Sequence, residues 1–494
     1  MKLKKIGGFS IGTLISRVTG MGREIVYAYL FGSSLWMDAF QVAFNIPNLL
    51  RDFFGEGGMN AAFVPVFSEF YTKEGKEGAN KYLSSFFLPL ILVLFFIVFL
   101  GIIFSPHIIS ILAKGFTKNP LQFEVAVKLT RMMFPFLILI SLASVVMGIL
   151  IYFDLFFVTG FYTVFFNISV VMCSFLLYKS LGIFGVAVGV LIGGILQLLF
   201  LLFFLPKVGV KLRKPEWGHP GVKQSFKLLI PVFFSFAAGK INVSVTLFLA
   251  SLLPTGNISH LTYAYRIMQL PLGMFGVAVA AVSLPEFSRK AAENVEQYPY
   301  ILSALRAVFF LSVPAVFLSI SLRVPIVRIL YERGAFLFED SLKTASLLLS
   351  YLLGMPFLAG SKVIGNVYFS KKDTKTPMVM SYISMIFNVI LSIIMMGAFG
   401  AMGLALAVSI SALIQFFLLM KPYLKIFKDL KSFFIKIIIA SCLGGVPSIF
   451  LGRDFNYLFA FFFGLISFTL IFILIGYILK IEEIWKLIKV LKRQ

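Results

Sequence analysis

The stretch "SRVTGMGREI" (16–25) holds Arg17 and Arg23 within the first apolar run of the chain, with Glu24 the only acid beside them. On a helix, six residues separate the two by about 9 Å along the axis and about 120° around it, so they line one broad cavity at two depths rather than a narrow stripe. Gly20 and Gly22 between them leave room for close approach by a neighbouring helix or a ligand. A guanidinium keeps its charge and donates paired hydrogen bonds to phosphate, so a cluster of three or four suits a phosphate or diphosphate ligand. A cation exporter would present acids instead. Arg51, Arg131, Lys240, Arg266, Arg306 and Lys362 also lie within apolar runs. Each would cost about 2.5–3.5 kcal/mol at a bilayer centre, so each must face an acid, water or a bound anion. The acids near them, Glu24, Asp38, Asp52 and Glu56, all belong to the first half of the chain, while Lys240, Arg266 and Lys362 of the second half have almost none. A cavity shared by both halves is therefore expected to be net positive. Plainer readings stand beside this one: Arg51 pairing with Asp52 or Glu56, Arg23 pairing with Glu24, and Arg131 and Arg306 marking the interfacial starts of their spans.

The elements that must position these groups follow from composition. The chain has 494 residues, 60% hydrophobic and 13% charged, with a mean hydropathy of +0.97. That excludes an ordinary soluble domain and indicates an all-α polytopic membrane protein. The alternation of a membrane barrel is absent. Runs of about 20 apolar residues give about fourteen spans. Their limits are near 8–30, 36–55, 83–112, 126–151, 156–178, 182–205, 225–253, 259–283, 300–322, 342–369, 376–396, 401–420, 433–451 and 455–479. The basic start is expected to be an uncleaved first span, because Arg17 interrupts the apolar run and no small-residue cleavage site follows. Pro47 should kink the second span just before Arg51, and Pro271 stands in the matching place after Arg266. The second span breaks at "GEGG" (55–58), with Gly57 and Gly58 as gate or kink positions, and resumes as an amphipathic helix, "MNAAFVPVFSEFY". Irregular backbone at that depth must face protein or water.

An internal repeat organises the spans. "GVAVGVLIGGILQLLFLL" (185–202) parallels "GLALAVSISALIQFFLLM" (403–420), "FVPVFSEF" (63–70) parallels "SLPEFSRK" (283–290), and "FPFLI" (134–138) parallels "MPFLA" (355–359). Three matches in order, offset by 218, 220 and 221, indicate two six-helix repeats plus two C-terminal helices. The expected domains are an N-terminal lobe at 1–207, a C-terminal lobe at 220–424, and residues 425–494 with two extra spans and a basic tail. Six spans are an even number, so the repeats are parallel and would bind substrate at their interface.

Charge placement fits this layout. With the N-terminus inside, about 27 of the 44 Lys and Arg fall in cytoplasmic segments such as "KVGVKLRK", "FSKKDTK" and "KLIKVLKRQ". Both termini are then cytoplasmic. Loop orientation also accounts for the net charge of +23, so no nucleic acid is expected as a partner. Cys173 and Cys442 lie in apolar runs, and His107, His219 and His260 are far apart, so neither type forms a metal or catalytic cluster. The outer loop "YERGAFLFEDS" (331–341) carries Glu332, Glu339 and Asp340, the residues a membrane-embedded glycan-transfer enzyme would need there. A solvated linker is the expected reading, and the chain is expected to be a transporter and not an enzyme. No catalytic residue and no cofactor is assigned.

The string "SRVTGMGREIVYAYLFGSSLWMDAFQVAFNIPNLLRDFFGEGGMNAAFVPVFSEF", with "YRIMQLPLGMFGVAVAAVSLPEFSR" (265–289) and "FSKKDTKTP" (369–377), resembles the MurJ (MviN) family. These are lipid II flippases, within the larger group of multidrug and polysaccharide-lipid exporters. The resemblance spans the whole chain. It implies transport of undecaprenyl-diphosphate-linked disaccharide-pentapeptide from the cytoplasmic to the outer leaflet of the bacterial inner membrane, by alternating access through a cationic cavity. It also implies cell-wall synthesis proteins as further partners beside membrane lipids. The family's essential arginines map onto Arg17, Arg23, Arg51 and Arg266; Glu24, Asp38, Asp52, Glu56 and Lys362, chosen by their positions in the chain, are the expected supporting residues. Its extra spans, here 433–479, are thought to hold the lipid tail. Departures are Glu24 where Asp is common, Asp52 where a second basic residue is common, and Tyr265 and Gln269 where some members carry acids. Some relatives hold sodium through a carboxylate in the second lobe. Here the candidates are the neutral Asn242, Asn388 and Ser392, so coupling to sodium or to the membrane potential is left open. The alternative substrate is another polyprenyl-diphosphate-linked glycan.

Overall fold

A computed structural model describes residues 2–55, 58–293, 295–454 and 456–485, with side chains outside 2–11, 13–14, 50–55, 58–61, 231–241 and 448–454. The described backbone is helical, and it falls into two compact units, Met1–Ser259 and His260–Gln494. Each of the fourteen expected spans lies on one helix or on consecutive helical segments. Ten stretches of described residues are long and apolar enough to cross a membrane, and one of them, Ala401–Pro447, carries two of the expected spans.

The first unit contains α1 (Lys2–Phe31), α2 (Leu35–Gly55), α3 (Gly58–Ile103), α4 (Ser105–Leu112), α5 (Pro120–Met133), α6 (Phe136–Tyr152), α7 (Phe156–Phe161), α8 (Thr163–Leu181), α9 (Ile183–Phe204) and α10 (Pro220–Ser251). The expected amphipathic helix is the start of α3, which breaks at Gly75 (φ 65°, ψ −156°) before the span expected at 83–112 begins. α5 starts at Pro120, six residues before the expected limit, because Asn119 caps it by accepting from the Gln122 backbone N–H. α1 crosses α7 closely at Gly12, where an added Cβ would stand 3.0 Å from backbone atoms of Phe157, Gly160 and Phe161. α10 packs along α3, with Tyr82 hydrogen-bonded to Ser225.

The second unit contains α11 (Asn257–Pro271, beginning before the boundary), α12 (Ala278–Ala292), α13 (Tyr298–Ser321), α14 (Arg323–Tyr331), α15 (Phe338–Ser370), α16 (Lys375–Phe399), α17 (Ala401–Met420), α18 (Leu424–Asp454) and α19 (Tyr457–Ile478). Its core draws Phe287, Phe309, Val363, Phe416, Phe433 and Phe468 from α12, α13, α15, α17, α18 and α19. The last two helices therefore share the main core of this unit.

The repeat is written in the backbone. α8 and α16 both end on a glycine outside the region that side chains adopt, Gly182 (φ 54°, ψ −128°) and Gly400 (φ 55°, ψ −132°). Each closes its helix with an N–H to the carbonyl four residues back at 2.9 Å, and each glycine carbonyl then accepts from the N–H three residues on at 3.1 Å. The positive-φ residues that follow α6 and α15, Asp154 (φ 65°) and Lys372 (φ 62°), also match. All of these pairs share the 218-residue spacing of the strongest sequence match.

Candidate substrate-binding arginines

α1 presents Arg17 on an exposed face and Arg23 on a buried one. Arg23 is 8% exposed and Glu24 3%. The Arg23 Nη2 donates to Glu24 Oε1 at 2.8 Å and Nη1 donates to Asn167 Oδ1 of α8 at 3.3 Å. The Tyr27 and Phe166 rings each lie 5.6 Å from Arg23 Cζ. The Asn167 amide nitrogen in turn donates to the Ser16 carbonyl and the Thr19 hydroxyl, both at 3.1 Å, and the Ser16 and Thr163 hydroxyls are bonded. A buried guanidinium needs an opposite charge and filled donor positions. Glu24 and Asn167 supply both, except at Nε, which is buried without a hydrogen-bond partner. The pairing with Glu24, the plainer sequence reading, is thus present. Sequence reasoning missed Asn167. Its signal was a lone amide in the apolar run "FFNISVVM", since polar groups inside spans are costly and seldom idle.

Asp38, expected as a supporting acid, is fully engaged elsewhere. Its Oδ2 accepts from the Gly256 N–H at 2.6 Å, and its Oδ1 accepts from the Ser259 N–H at 2.8 Å and the Ser259 hydroxyl at 2.6 Å. A carboxylate at helix-starting N–H groups satisfies donors that the helix itself leaves open. Pro47 is buried within α2. The side chains of Arg51, Asp52 and Lys240, and residues Glu56 and Gly57, lie outside the described residues, while the gate position Gly58 begins α3.

In the second unit Arg266 is half-buried on α11, and its Nη1 donates to Gln269 Oε1 at 3.3 Å. Pro271 closes α11, and the chain continues as a π-helical turn, Leu272–Val277, a form often found at functional positions. Gly276 of that turn sits so close to α15 that an added Cβ would lie 2.9 Å from Ala359 Cβ. Lys362 is exposed on α15.

The two cations expected at interfaces both have partners. Arg131 stands in the last turn of α5, because that helix starts early, and its Nε donates to the Ile102 carbonyl at 3.2 Å. Arg306, well inside α13, binds Glu483 at 2.8 Å and Glu482 at 3.2 Å and lies 5.2 Å over the Phe433 ring. It ties the segment after α19 to the core of the second unit. The acidic 331–341 segment is largely exposed, Glu339 included, but two of its acids make specific bonds. Glu332 receives three hydrogen bonds from Arg328 at 2.8–3.0 Å and one from the Ser341 hydroxyl, while Asp340 caps α15 at the Leu337 N–H and stands 3.5 Å from His260.

Among the described residues no group of three or more His, Cys, Asp or Glu side chains could hold a metal. Of the sodium candidates, Asn388 Oδ1 is already occupied by the Ser392 hydroxyl at 3.3 Å and the unpartnered group is its Nδ2, a donor, which does not suit a cation. Asn242 in the first unit leaves a buried oxygen, Oδ1, without a hydrogen-bond partner, which does.

The chain matches the family model described as Lipid II flippase MurJ over residues 27–478. It is 35% identical over 420 residues to a protein of Vibrio cholerae serotype O1 named Probable lipid II flippase MurJ, covering 82% of this chain and 80% of that one. A protein of the same name from Aquifex aeolicus is 33% identical over 407 residues, covering 82% and 80%. Among solved structures, one described as Lipid II flippase MurJ, inward closed conformation, superposes with a TM-score of 0.84 at 30% identity, over 95% of this chain and 98% of that one. An inward-facing multidrug resistance MATE family transporter of the MOP superfamily shares the fold, with a TM-score of 0.68 at 16% identity over 86% and 99%. The length of the family match and the identity to these relatives make this chain a member of the MurJ family.

Proposed function

We propose that this protein is a transporter that moves lipid II, the undecaprenyl-diphosphate-linked peptidoglycan precursor, from the cytoplasmic to the outer leaflet of the bacterial inner membrane. The observation that carries the reading is the family match over 27–478, and the arginines give it a chemistry. Arg17 is exposed and Arg266 half-buried, so both can meet a diphosphate during the cycle, Arg51 serving with them. Arg23 is held ready by Glu24 and Asn167. A ligand phosphate would take over Nη2 as a second anion, exchanging one charge-assisted bond for another. Glu332 and Asp340 of the 331–341 loop serve structural bonds, which supports transport over glycan-transfer chemistry.

The protein is multi-pass, and its Lys and Arg distribution supports cytoplasmic termini. Alternating access follows as population shift: the ligand stabilises the state that binds it better. With the inside negative, an anionic head group moving outward goes downhill by about 2.3 kcal/mol per charge per 100 mV. The return of an empty cationic site is favoured by the same field, so coupling to the membrane potential belongs to the reading. Among the described residues the candidate for sodium is the neutral Asn242. The 433–479 helices are assigned to the lipid tail, and cell-wall synthesis enzymes are the natural partners that supply and consume the substrate.

The test is replacement of a lipid II flippase in a depletion strain. Growth restored by the intact chain, and lost with Arg17→Ala or Arg266→Ala at unchanged membrane levels, is the expected result. Failure of the intact, membrane-inserted chain would overturn it, and rescue of a different polyprenyl-diphosphate glycan exporter instead would reassign the substrate.

A further inference from the structure

The segment between α9 and α10 is a long connection that no transport step uses, yet it is held in place with unusual economy. The chain turns at Gly209 (φ 78°) and runs along the start of the second half of α3. The backbone N–H groups of Lys211, Arg213 and Glu216 donate to Asn80 Oδ1 at 3.0 Å, Ser84 Oγ at 2.7 Å and Ser85 Oγ at 2.8 Å. Arg213 pairs with Glu77 at 3.2 Å and Glu216 with Lys81 at 3.4 Å. Val210 points inward and is fully buried, while Leu212 is 53% and Trp217 81% exposed. A fixed loop thus displays one of the chain's three tryptophans at its tip, beside Lys207, Lys211, Arg213 and Lys214, with Glu216 the only acid of the segment.

Three helices place this loop at the edge of the apolar zone. The exposed surface of α9 stays apolar up to Phe203, and the Lys207 ammonium then folds back over the Phe203 ring at 4.1 Å and the Phe204 ring at 4.6 Å. α10 exposes Lys223 and Lys227, then Leu228 and Ile230. α3 exposes Lys81, then Ile91 and Leu92. All three change from charged to apolar exposure next to the loop. Tryptophan favours that level because its ring is apolar and its N–H polar, and a cluster of cations beside a span attracts anionic headgroups.

We infer that the 207–217 loop is a docking surface for anionic glycerophospholipid headgroups of the leaflet it borders. Trp217 and Leu212 seat at the headgroup–acyl boundary, and Lys207, Lys211 and Lys214 meet the phosphates. The staple to Asn80, Ser84 and Ser85 fixes the height at which they do so.

The test uses the full chain with Trp36→Phe and Trp485→Phe in nanodiscs, so that Trp217 is the sole emitter. Phosphatidylcholine discs are doped with brominated phosphatidylglycerol or, at equal mole fraction, brominated phosphatidylcholine. The expected result is blue-shifted emission quenched about twofold more strongly by the anionic brominated lipid. That preference should fall with added salt and in Lys211→Gln/Lys214→Gln, a variant that leaves the Arg213–Glu77 pair intact. Salt dependence in the parent chain answers the question if the variant fails to fold. Equal quenching by both lipids, emission open to aqueous acrylamide, or a response to undecaprenyl diphosphate alone would each overturn the inference.

Discussion

The hairpins α8–α9 and α16–α17 are copies in backbone and strangers in chemistry. Both turn on a positive-φ glycine with the same hydrogen bonds at the same spacing, Gly182 and Gly400. Yet α8 spends its amide, Asn167, on the buried Arg23, whereas α16 holds a buried amide, Asn388, whose Nδ2 has no hydrogen-bond partner. Duplication preserved what the backbone needs to turn and pack. The polar groups diverged: α8 gives its amide to the buried arginine of α1, and α16 accepts with its amide oxygen from Ser392 of the same helix.

The largest expected effect breaks the first half of that contrast. Glu24→Gln leaves the Arg23 guanidinium buried without its counter-charge and should cost about 3–5 kcal/mol, read as a lowered midpoint in thermal unfolding of the purified protein. Arg17→Ala, on the exposed face six residues away, should move the same midpoint by no more than about 0.5 kcal/mol. Equal effects would show that Arg23 and Arg17 share one environment.

Next in size are the shared turns. Gly182→Ala and Gly400→Ala force a side chain into backbone regions that essentially only glycine occupies, and each should cost about 1–3 kcal/mol. The informative outcome is their similarity. A loss at one turn only would mean that the repeat is not mechanically equivalent.

A smaller effect concerns pH. His219 caps α10 by accepting from the Gly221 N–H at 3.2 Å while packed edge-on to Phe70 at 4.7 Å. Burial holds its imidazole below the usual histidine range. Protonation is thus disfavoured in the folded state, so the cap's contribution is complete above the ordinary histidine pKa and declines as pH falls through the folded value. Hydrogen-exchange protection at the first turn of α10, corrected for the intrinsic rate at each pH, should fall on acidification, by an amount set by a cap of about 1 kcal/mol, and His219→Asn should remove the pH dependence. Unchanged protection across that range in the parent chain would contradict the assignment.

The smallest effect belongs to the double change Asn388→Leu/Ser392→Ala. Replacing both members of a buried hydrogen-bonded pair by apolar groups should be close to neutral or slightly stabilising, by midpoint measurement, whereas Asn167→Leu should be clearly destabilising because Arg23 loses a partner.

Much of this was legible from composition and order. Apolar runs marked the fourteen spans, and the offset of 218 between "GVAVG" and "GLALA" returned in the turns at Gly182 and Gly400. The adjacency of Arg23 and Glu24 already offered their pairing. Other contacts were hidden because periodicity tells which face of a helix is apolar, not which distant residue meets it. Asn167 lies 144 residues from Arg23, Asp38 lies 218 from the Gly256 N–H it receives, and Arg306 lies 177 from Glu483. A charged loop read as solvated because the Arg328–Glu332 pair depends on α14, a helix too short to announce itself, and the Asp340–Leu337 bond on the exact start of α15.

The most direct test of the account is lipid II flipping by the purified protein in proteoliposomes, comparing Arg17→Ala and Arg266→Ala with Arg131→Ala. Losing a charge-assisted phosphate contact of about 1.5–3 kcal/mol should slow the first two at least about tenfold while Arg131→Ala, whose Nε serves the Ile102 carbonyl, keeps the parent rate. Parent-like flipping by both Arg17→Ala and Arg266→Ala would contradict the proposal that these two guanidinium groups meet the diphosphate.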